Sequence, residues 1–219
     1  MRKTGNAFID NSSAEWVIGS DEVGYGSWAG PLLVCATLVH RNWTAVGVGD
    51  SKKIVEKERS RICDLFKSTT PHLLVWVTPE KIDELGVYKA LLGAHQTAIL
   101  GLISQAKSTP LVIVDGFPQG TGPIGVPNAV GLPKADGLIP AVGLASIIAK
   151  VTRDRHMQKE SQTYPGYGFG NHKGYGTPEH EMALDKLGVC PIHRKSYAPV
   201  RKRLETPGMG KDDPLFEID

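Results

Sequence analysis

The chain has 219 residues, 41% hydrophobic and 22% charged, with 25 Lys plus Arg against 23 acids and a formal net charge of +2. That composition is ordinary for a globular protein of one large or two small domains, and a charge this small announces no polyanionic partner by itself. Cys35, Cys63 and Cys190 are odd in number and far apart, with no CxxC or Cys/His metal spacing, so a reducing compartment is expected rather than a disulfide scaffold. Met1–Asn6 has no apolar segment of signal-peptide type, and Pro31–Val39 falls far short of the ~20 apolar residues of a membrane helix. A soluble, cytoplasmic protein is expected. Charge is unevenly spread: Lys186–Arg203 holds six basic residues and no acid, whereas Lys211–Asp219 is acidic.

In chain order, Trp16–Ser20 reads as a strand that delivers two adjacent acids, Asp21 and Glu22, to a loop carrying Gly24, Gly26 and Gly30. Neighbouring strand residues point to opposite faces. Both carboxylates are therefore expected to serve one site only if the strand ends there and Glu22 sits on the turn. Pro31–Val39 is a second strand, close enough for an antiparallel hairpin. Val55–Lys67 reads as a helix, Leu73–Val77 as a short strand, and Thr78-Pro79 as a helix start. After Gly86 a longer helix is expected over Tyr88–Ala106, with His95 a core-edge histidine in its apolar stripe. Leu111–Val114 is apolar on both faces, as in a central strand, and ends at Asp115-Gly116.

Phe117–Pro133, crowded with Gly and Pro, reads as loop. Lys134-Ala135-Asp136 leads into a helix over Leu138–Glu160, where Pro140 is tolerable only near the first turn. Tyr164–Thr177 is a Gly/aromatic/basic loop, and Pro178–Leu187 a helix stopped by Gly188. One domain over 1–205 with a disordered acidic tail over 206–219 is the simplest division.

Asp21, Glu22 and Asp115 lie at or just beyond strand ends, and Asp136 just before a helix. Convergence of the four would make a carboxylate cluster that needs counter-charge, and oxygen ligands favour Mg²⁺ or Mn²⁺. Two such ions can ready a water and stabilise a departing 3′ oxygen. A lone acid after a strand is otherwise a turn or cap residue, the reading kept for Asp50 and Asp154. Lys52 and Lys53 suit phosphate or plain solvent, and Lys150 and Arg153 suit the site or solvent. Tyr175, presented by Gly174 and Gly176, suits stacking on a sugar or base. His172, His180 and His193 form no metal-ligand or triad spacing.

Together these segments resemble the type 2 ribonucleases H, in particular ribonuclease HII. The resemblance rests on Gly19-Ser20-Asp21-Glu22-Val23-Gly24 with Ala29-Gly30-Pro31, on Asp50-Ser51-Lys52-Lys53, and on Val114-Asp115-Gly116. It continues in Lys134-Ala135-Asp136 with Ala145–Val151 and Arg153-Asp154, in His172–His180, and in Cys190–Arg194. It implies an α/β, ribonuclease H-like mixed five-stranded sheet flanked by helices, with a helical carboxyl-terminal part. It implies endonucleolytic cleavage of RNA strands paired with DNA and incision at ribonucleotides embedded in duplex DNA, leaving 3′-hydroxyl and 5′-phosphate ends. By resemblance Asp21, Glu22, Asp115 and Asp136 are the catalytic metal-binding acids, served by two divalent ions, Mg²⁺ or Mn²⁺. Gly24, Tyr25 and Gly26 match the loop that senses the 2′-hydroxyl, and Tyr175 matches a tyrosine that packs on a deoxyribose. Lys52, Ser146 and Lys150 fall in matching motifs and are expected to bind substrate.

One departure stands out: the family usually has Arg or Lys between the loop glycines, and here the residue is Tyr25. A tyrosine offers one hydroxyl and no charge where an arginine would give charge-assisted bonds to phosphate. The sister ribonuclease HIII has an uncharged residue there, but the carboxyl-terminal motif and the lack of an extra amino-terminal domain favour HII. Weaker preference for isolated ribonucleotides, as in HIII, is one alternative, and a four-acid exonuclease of the same superfamily is another. A hybrid-binding protein without catalysis is disfavoured by the presence of all four acids. The expected partners are RNA–DNA hybrid and ribonucleotide-containing duplex, with no membrane and a monomeric chain. Pro214-Leu215-Phe216 in the tail offers a short apolar anchor for a replication partner.

Overall fold

The two apolar runs around the glycine loop form the middle of a sheet in the computed structural model, which describes residues 9, 11–44, 48, 54–117, 125–126 and 128–205. Strand β1 (Trp16–Val23) pairs antiparallel with β2 (Leu32–His40), which pairs antiparallel with β3 (His72–Val77). On the other side β1 pairs parallel with β4 (Leu111–Asp115), and β4 with β5 (Ala129–Leu132). The order β3-β2-β1-β4-β5 is the expected mixed five-stranded sheet. β5 lies within the segment read as loop; four residues among glycines and prolines give too short a run for alternation to show.

The period-two pattern of β2 sorts its side chains cleanly. Leu32, Val34, Ala36 and Leu38 face one core with Ile18, while Leu33 and Cys35 face another. Helices α1 (Glu56–Thr69), α2 (Pro79–Leu85) and α3 (Val87–Ile103) follow the predicted order. The Thr78 hydroxyl accepts the Lys81 N–H, which caps α2 as its sequence suggests. α3 covers the first face with Leu91, Ala94, Ala98, Ile99 and Leu102. A 3₁₀ turn, Ala135–Gly137, leads into α4 (Pro140–Thr163), which covers the second face with Leu144, Ile147 and Ile148. Pro140 stands at the first turn, where its missing N–H costs nothing.

Gly19 decides how closely α4 approaches β1. A Cβ there would lie 2.3 Å from the Ala141 carbonyl carbon and the Val142 nitrogen. The start of α4 thus rests on the strand backbone two residues before Asp21. Beyond α4, short helices α5 (Phe169–His172), α6 (Pro178–Leu187) and α7 (Ala198–Glu205) form the helical carboxyl-terminal part. α5 falls in the second segment read as loop, and α6 ends before Gly188 as predicted. No described helix is long and apolar enough to cross a membrane.

Candidate active site

β1 does not end before its acids, contrary to the sequence expectation: Asp21 and Glu22 are both strand residues, held in register with Cys35 and Val34 of β2. What ends is the neighbour. The parallel ladder with β4 stops at Ser20↔Val114, so β1 overhangs β4 along one edge of the sheet. Past that point the two acids reach a common crevice from opposite faces. Asp21 points to the α4 side and bonds the Ser146 hydroxyl, while Glu22 points to the α3 side, its Oε2 3.8 Å from His95 Nε2.

The crevice, of about 400 Å³, is lined by Asp21, Glu22, Asp115 and Asp136 together with Gly24, Tyr25, Gly26, Ser146, Lys150 and Tyr175. All four predicted acids and six of the seven predicted substrate-binding residues meet here. The seventh, Lys52, lies outside the described residues, as do Asp50, Lys53 and the tail motif. This is the crevice beyond the carboxyl ends of parallel strands, where the strand order changes direction and α/β sheets place their ligands.

Backbone amides hold one oxygen of three of the acids. Asp21 Oδ1 accepts the Glu22 N–H at 2.8 Å, Asp115 Oδ1 the Ala135 N–H at 2.5 Å, and Asp136 Oδ1 the Gly137 N–H at 2.9 Å. Burial, then the charges of Glu22 and Asp115, hold the Asp21 carboxyl well above the usual range. Burial also raises Asp115, helped by the charges of Asp136 and Glu22 and opposed by the Ala135 N–H. Among the described residues no three His, Cys, Asp or Glu side chains close into a metal-ligating cluster as placed. The acids instead face one another across an open crevice, their charges mutually unfavourable. An all-oxygen donor set under like-charge strain fits hard divalent cations such as Mg²⁺ or Mn²⁺, and the residues present suit them.

The glycine loop is clamped from below. Gly24 has φ +86°, and a Cβ on it would sit 2.3 Å from Arg153 Nε. Arg153, read from sequence as facing the site or solvent, is instead fully buried. Its guanidinium donates to Pro31 O, Ala29 O, Lys173 O and Ser27 Oγ, and lies 5.5 Å from the Tyr175 ring centre. Arg194 does the same from the far side, donating to Gly30 O and Tyr25 O, and the Tyr197 hydroxyl also donates to Tyr25 O. The Tyr175 hydroxyl accepts the Gly24 N–H at 3.2 Å. Loop and tyrosine are thus one assembly, tied also by the Ser27↔Tyr175 bridge. The Tyr25 ring stands 40% exposed at the rim.

Lys150 lines the crevice while paired with Asp154 at 2.8 Å, and Asp154, read from sequence as a turn or cap residue, lies instead inside α4. Sequence reasoning missed Arg59, which lines the crevice from α1; nothing in its helical segment distinguishes it from a surface arginine. His172, His180 and His193, unpatterned in sequence, gather behind Tyr175, bonded to one another, to backbone and to Cys190 Sγ, and packed on the Trp28, Tyr167 and Phe169 rings.

A family model for Ribonuclease HII matches residues 18–200. The chain is 37% identical over 198 residues to the ribonuclease HII of Dichelobacter nodosus, covering 86% of this chain and 97% of that one. It is 39% identical over 204 residues to that of Halorhodospira halophila, covering 88% and 97%. The ribonuclease H2 of Pyrococcus horikoshii superposes with TM-score 0.69 at 27% identity, covering 87% of this chain and 97% of that one. The fold is shared with Bst-RNase HIII in complex with Mn²⁺, at TM-score 0.73 and 24% identity, covering 91% and 72%. It is shared also with the ribonuclease HII of Archaeoglobus fulgidus solved with PCNA, at TM-score 0.65 and 24% identity, covering 83% and 94%. With the matched span running from β1 through all four crevice acids to the helical end, the chain belongs to the ribonuclease HII family of metal-dependent ribonucleases H.

Proposed function

We propose that the crevice hydrolyses the RNA strand of RNA–DNA hybrids and incises at ribonucleotides in duplex DNA, leaving 3′-hydroxyl and 5′-phosphate ends. The observation that carries this is the meeting of Asp21, Glu22, Asp115 and Asp136 beside the Gly24–Gly26 loop in one crevice. In this reading the four carboxylates hold two divalent ions, Mg²⁺ or Mn²⁺. When bound, such ions supply an activated water and stabilise the leaving 3′ oxygen. Ser146 holds Asp21 in place from α4, and the Ala135 N–H does the same for Asp115. The backbone of Gly24–Gly26 meets the 2′-hydroxyl, the group that separates RNA from DNA. Tyr175, braced by Arg153, presents its ring to the neighbouring sugar. Lys150, at the crevice wall, neutralises phosphate.

Tyr25 supports the second reading, a preference for runs of ribonucleotides over a single one. Its backbone is fixed by Arg194 and Tyr197 while its side chain is uncharged, so the loop geometry survives without a phosphate-binding cation. Cleavage of a one-ribonucleotide duplex compared with a long hybrid tests both readings. Faster cleavage of the hybrid, with Tyr25→Arg restoring single-site incision, supports the preference. Equal or better single-site incision, unaffected by Tyr25→Arg, removes it and leaves the first reading standing. The assignment of residues 1–205 as the catalytic domain, monomeric in solution, is part of this proposal. A partner contact through Pro214-Leu215-Phe216 falls outside the described residues.

A further inference from the structure

His95 lies on α3 in the apolar stripe that covers β1, between Leu91 one turn before and Ile99 one turn after. Its ring is fully buried, packed edge-on to Phe117 with centroids 5.6 Å apart. Nδ1 has a partner, the Ser20 hydroxyl at 2.8 Å. Nε2 has none within hydrogen-bond distance. A buried polar nitrogen left unsatisfied is unfavourable, and histidine is a poor choice for a position needing only volume.

Nε2 faces the Glu22 carboxylate, with Oε2 at 3.8 Å. Ser20 and Glu22 are two residues apart on β1 and so share the face that meets α3. The histidine therefore touches the strand at one residue and points at the acid at the next residue on that face. Phe117, which the ring also meets, follows Asp115 by two residues. The tautomer follows from the surroundings. A bare Nε2 lone pair would oppose the carboxylate, whereas an Nε2–H is attracted to it. Nδ1 is then the acceptor, and Ser20 donates to it in preference to Cys35 O, which lies 3.1 Å from the same hydroxyl.

We propose that His95 is a positioning residue for Glu22: in the working site Nε2–H donates to Oε2 and fixes the direction in which the carboxylate meets a divalent ion. The inference rests on the reading of Glu22 as a metal-binding acid. A rotation of the partly exposed glutamate side chain would close 3.8 Å to a hydrogen bond without moving the ring. The contact would supply from the protein interior what the other three acids receive from backbone amides. Outer-shell donors of this kind orient a ligand and set its basicity, and their loss costs roughly 10- to 100-fold in metal affinity.

Calorimetric titration of the full chain with Mn²⁺, without substrate, tests it in His95→Met, His95→Gln, Glu22→Gln and the His95→Met/Glu22→Gln double variant. Melting temperatures are recorded alongside. His95→Met keeps the volume and removes the donor; His95→Gln keeps an N–H of similar reach and serves also if the methionine packs badly. The expected result is binding about 10-fold weaker in His95→Met at an unchanged or raised melting temperature. His95→Gln should recover most of that loss, and His95→Met should add nothing once Glu22 is Gln. Wild-type Mn²⁺ affinity in His95→Met beside weakened Glu22→Gln overturns the inference. So does a His95→Met loss that persists undiminished in the Glu22→Gln background, or one that His95→Gln fails to recover while remaining folded. Unchanged affinity in Glu22→Gln itself defeats instead the assignment of Glu22 as a metal-binding acid.

Discussion

The acid crevice and the histidine–arginine block behind Tyr175 both bury groups that water would rather keep, and they resolve the conflict in opposite ways. In the block each ring nitrogen of His172, His180 and His193 has a partner within the protein, and only Arg194 Nη2 is left without one among the described residues. His180 Nδ1 contacts Tyr175 O at 3.0 Å, its Nε2 contacts His193 Nε2 at 3.0 Å, and His193 Nδ1 accepts the Cys190 N–H at 3.0 Å. Read as donors and acceptors, the chain runs Cys190 N–H to His193, His193 to His180, and His180 to the carbonyl of the crevice-lining tyrosine. Each imidazole is neutral, and burial pushes both down to about 4. In the crevice burial and neighbouring carboxylates together raise Asp21 and Asp115. One region is a finished support; the other, in the proposed reading, is arranged for divalent cations.

The largest expected effect comes from removing a crevice acid. Asp115→Asn should lower the cleavage rate by about 10³-fold or more, as several kcal/mol of transition-state stabilisation disappear. Steady-state cleavage of a fluorescent hybrid measures it. The same region has a signature in stability. Asp21 and Asp115 bind protons more tightly folded than unfolded, so the metal-free protein loses stability as pH rises above 3.8 through their folded values. Asp21→Asn should therefore raise the melting temperature of the chelator-treated protein at pH 8, where wild type carries the repulsion.

The block should respond with the opposite sign. His180 and His193 bind protons less tightly folded than unfolded, so their contribution is complete above 6.5 and is lost as pH falls toward 4. About 3 kcal/mol per fully shifted histidine is at stake, from ~2.5 pH units at 1.36 kcal/mol each. Denaturant unfolding at pH 7 and pH 4.5 measures it, and His193→Gln should flatten the dependence.

Smaller effects fall on the joint between the regions. Gly24→Ala places a Cβ against Arg153 at φ +86° and should cost about 1–3 kcal/mol, with weaker cleavage, by denaturant unfolding and rate assay. Tyr175→Phe removes the hydroxyl that accepts the Gly24 N–H and keeps the ring. A loss of about 1 kcal/mol in substrate binding, visible as a raised KM at nearly constant kcat, is expected.

Residues whose role is set by local pattern were legible in the sequence. The alternation of β2, the Thr78 cap, Pro140 at its first turn and the stop at Gly188 each follow from neighbours within a few positions. The four acids were legible because each ends an apolar run or opens a helix. Less legible were features made by distant partners. The continuation of β1 through Glu22 is imposed by pairing with β2, and the crevice arises because β4 stops sooner. Arg153 and Arg194 look like surface charges until the carbonyls of Ala29, Gly30 and Pro31 are folded around them. His95, read as a core-edge histidine, is fully buried, and its line to Glu22 depends on how α3 lies across the sheet.

Nicking of a closed circular DNA duplex that carries a short RNA run tests the central claim most directly, with Mg²⁺, Mn²⁺ or a chelator in parallel and Asp115→Asn beside wild type. The account predicts that wild type opens the circle with either ion, leaves it closed with the chelator, and that Asp115→Asn leaves it closed throughout. Undiminished nicking in the chelator or by Asp115→Asn, or degradation only of linear hybrids from their ends, would contradict it.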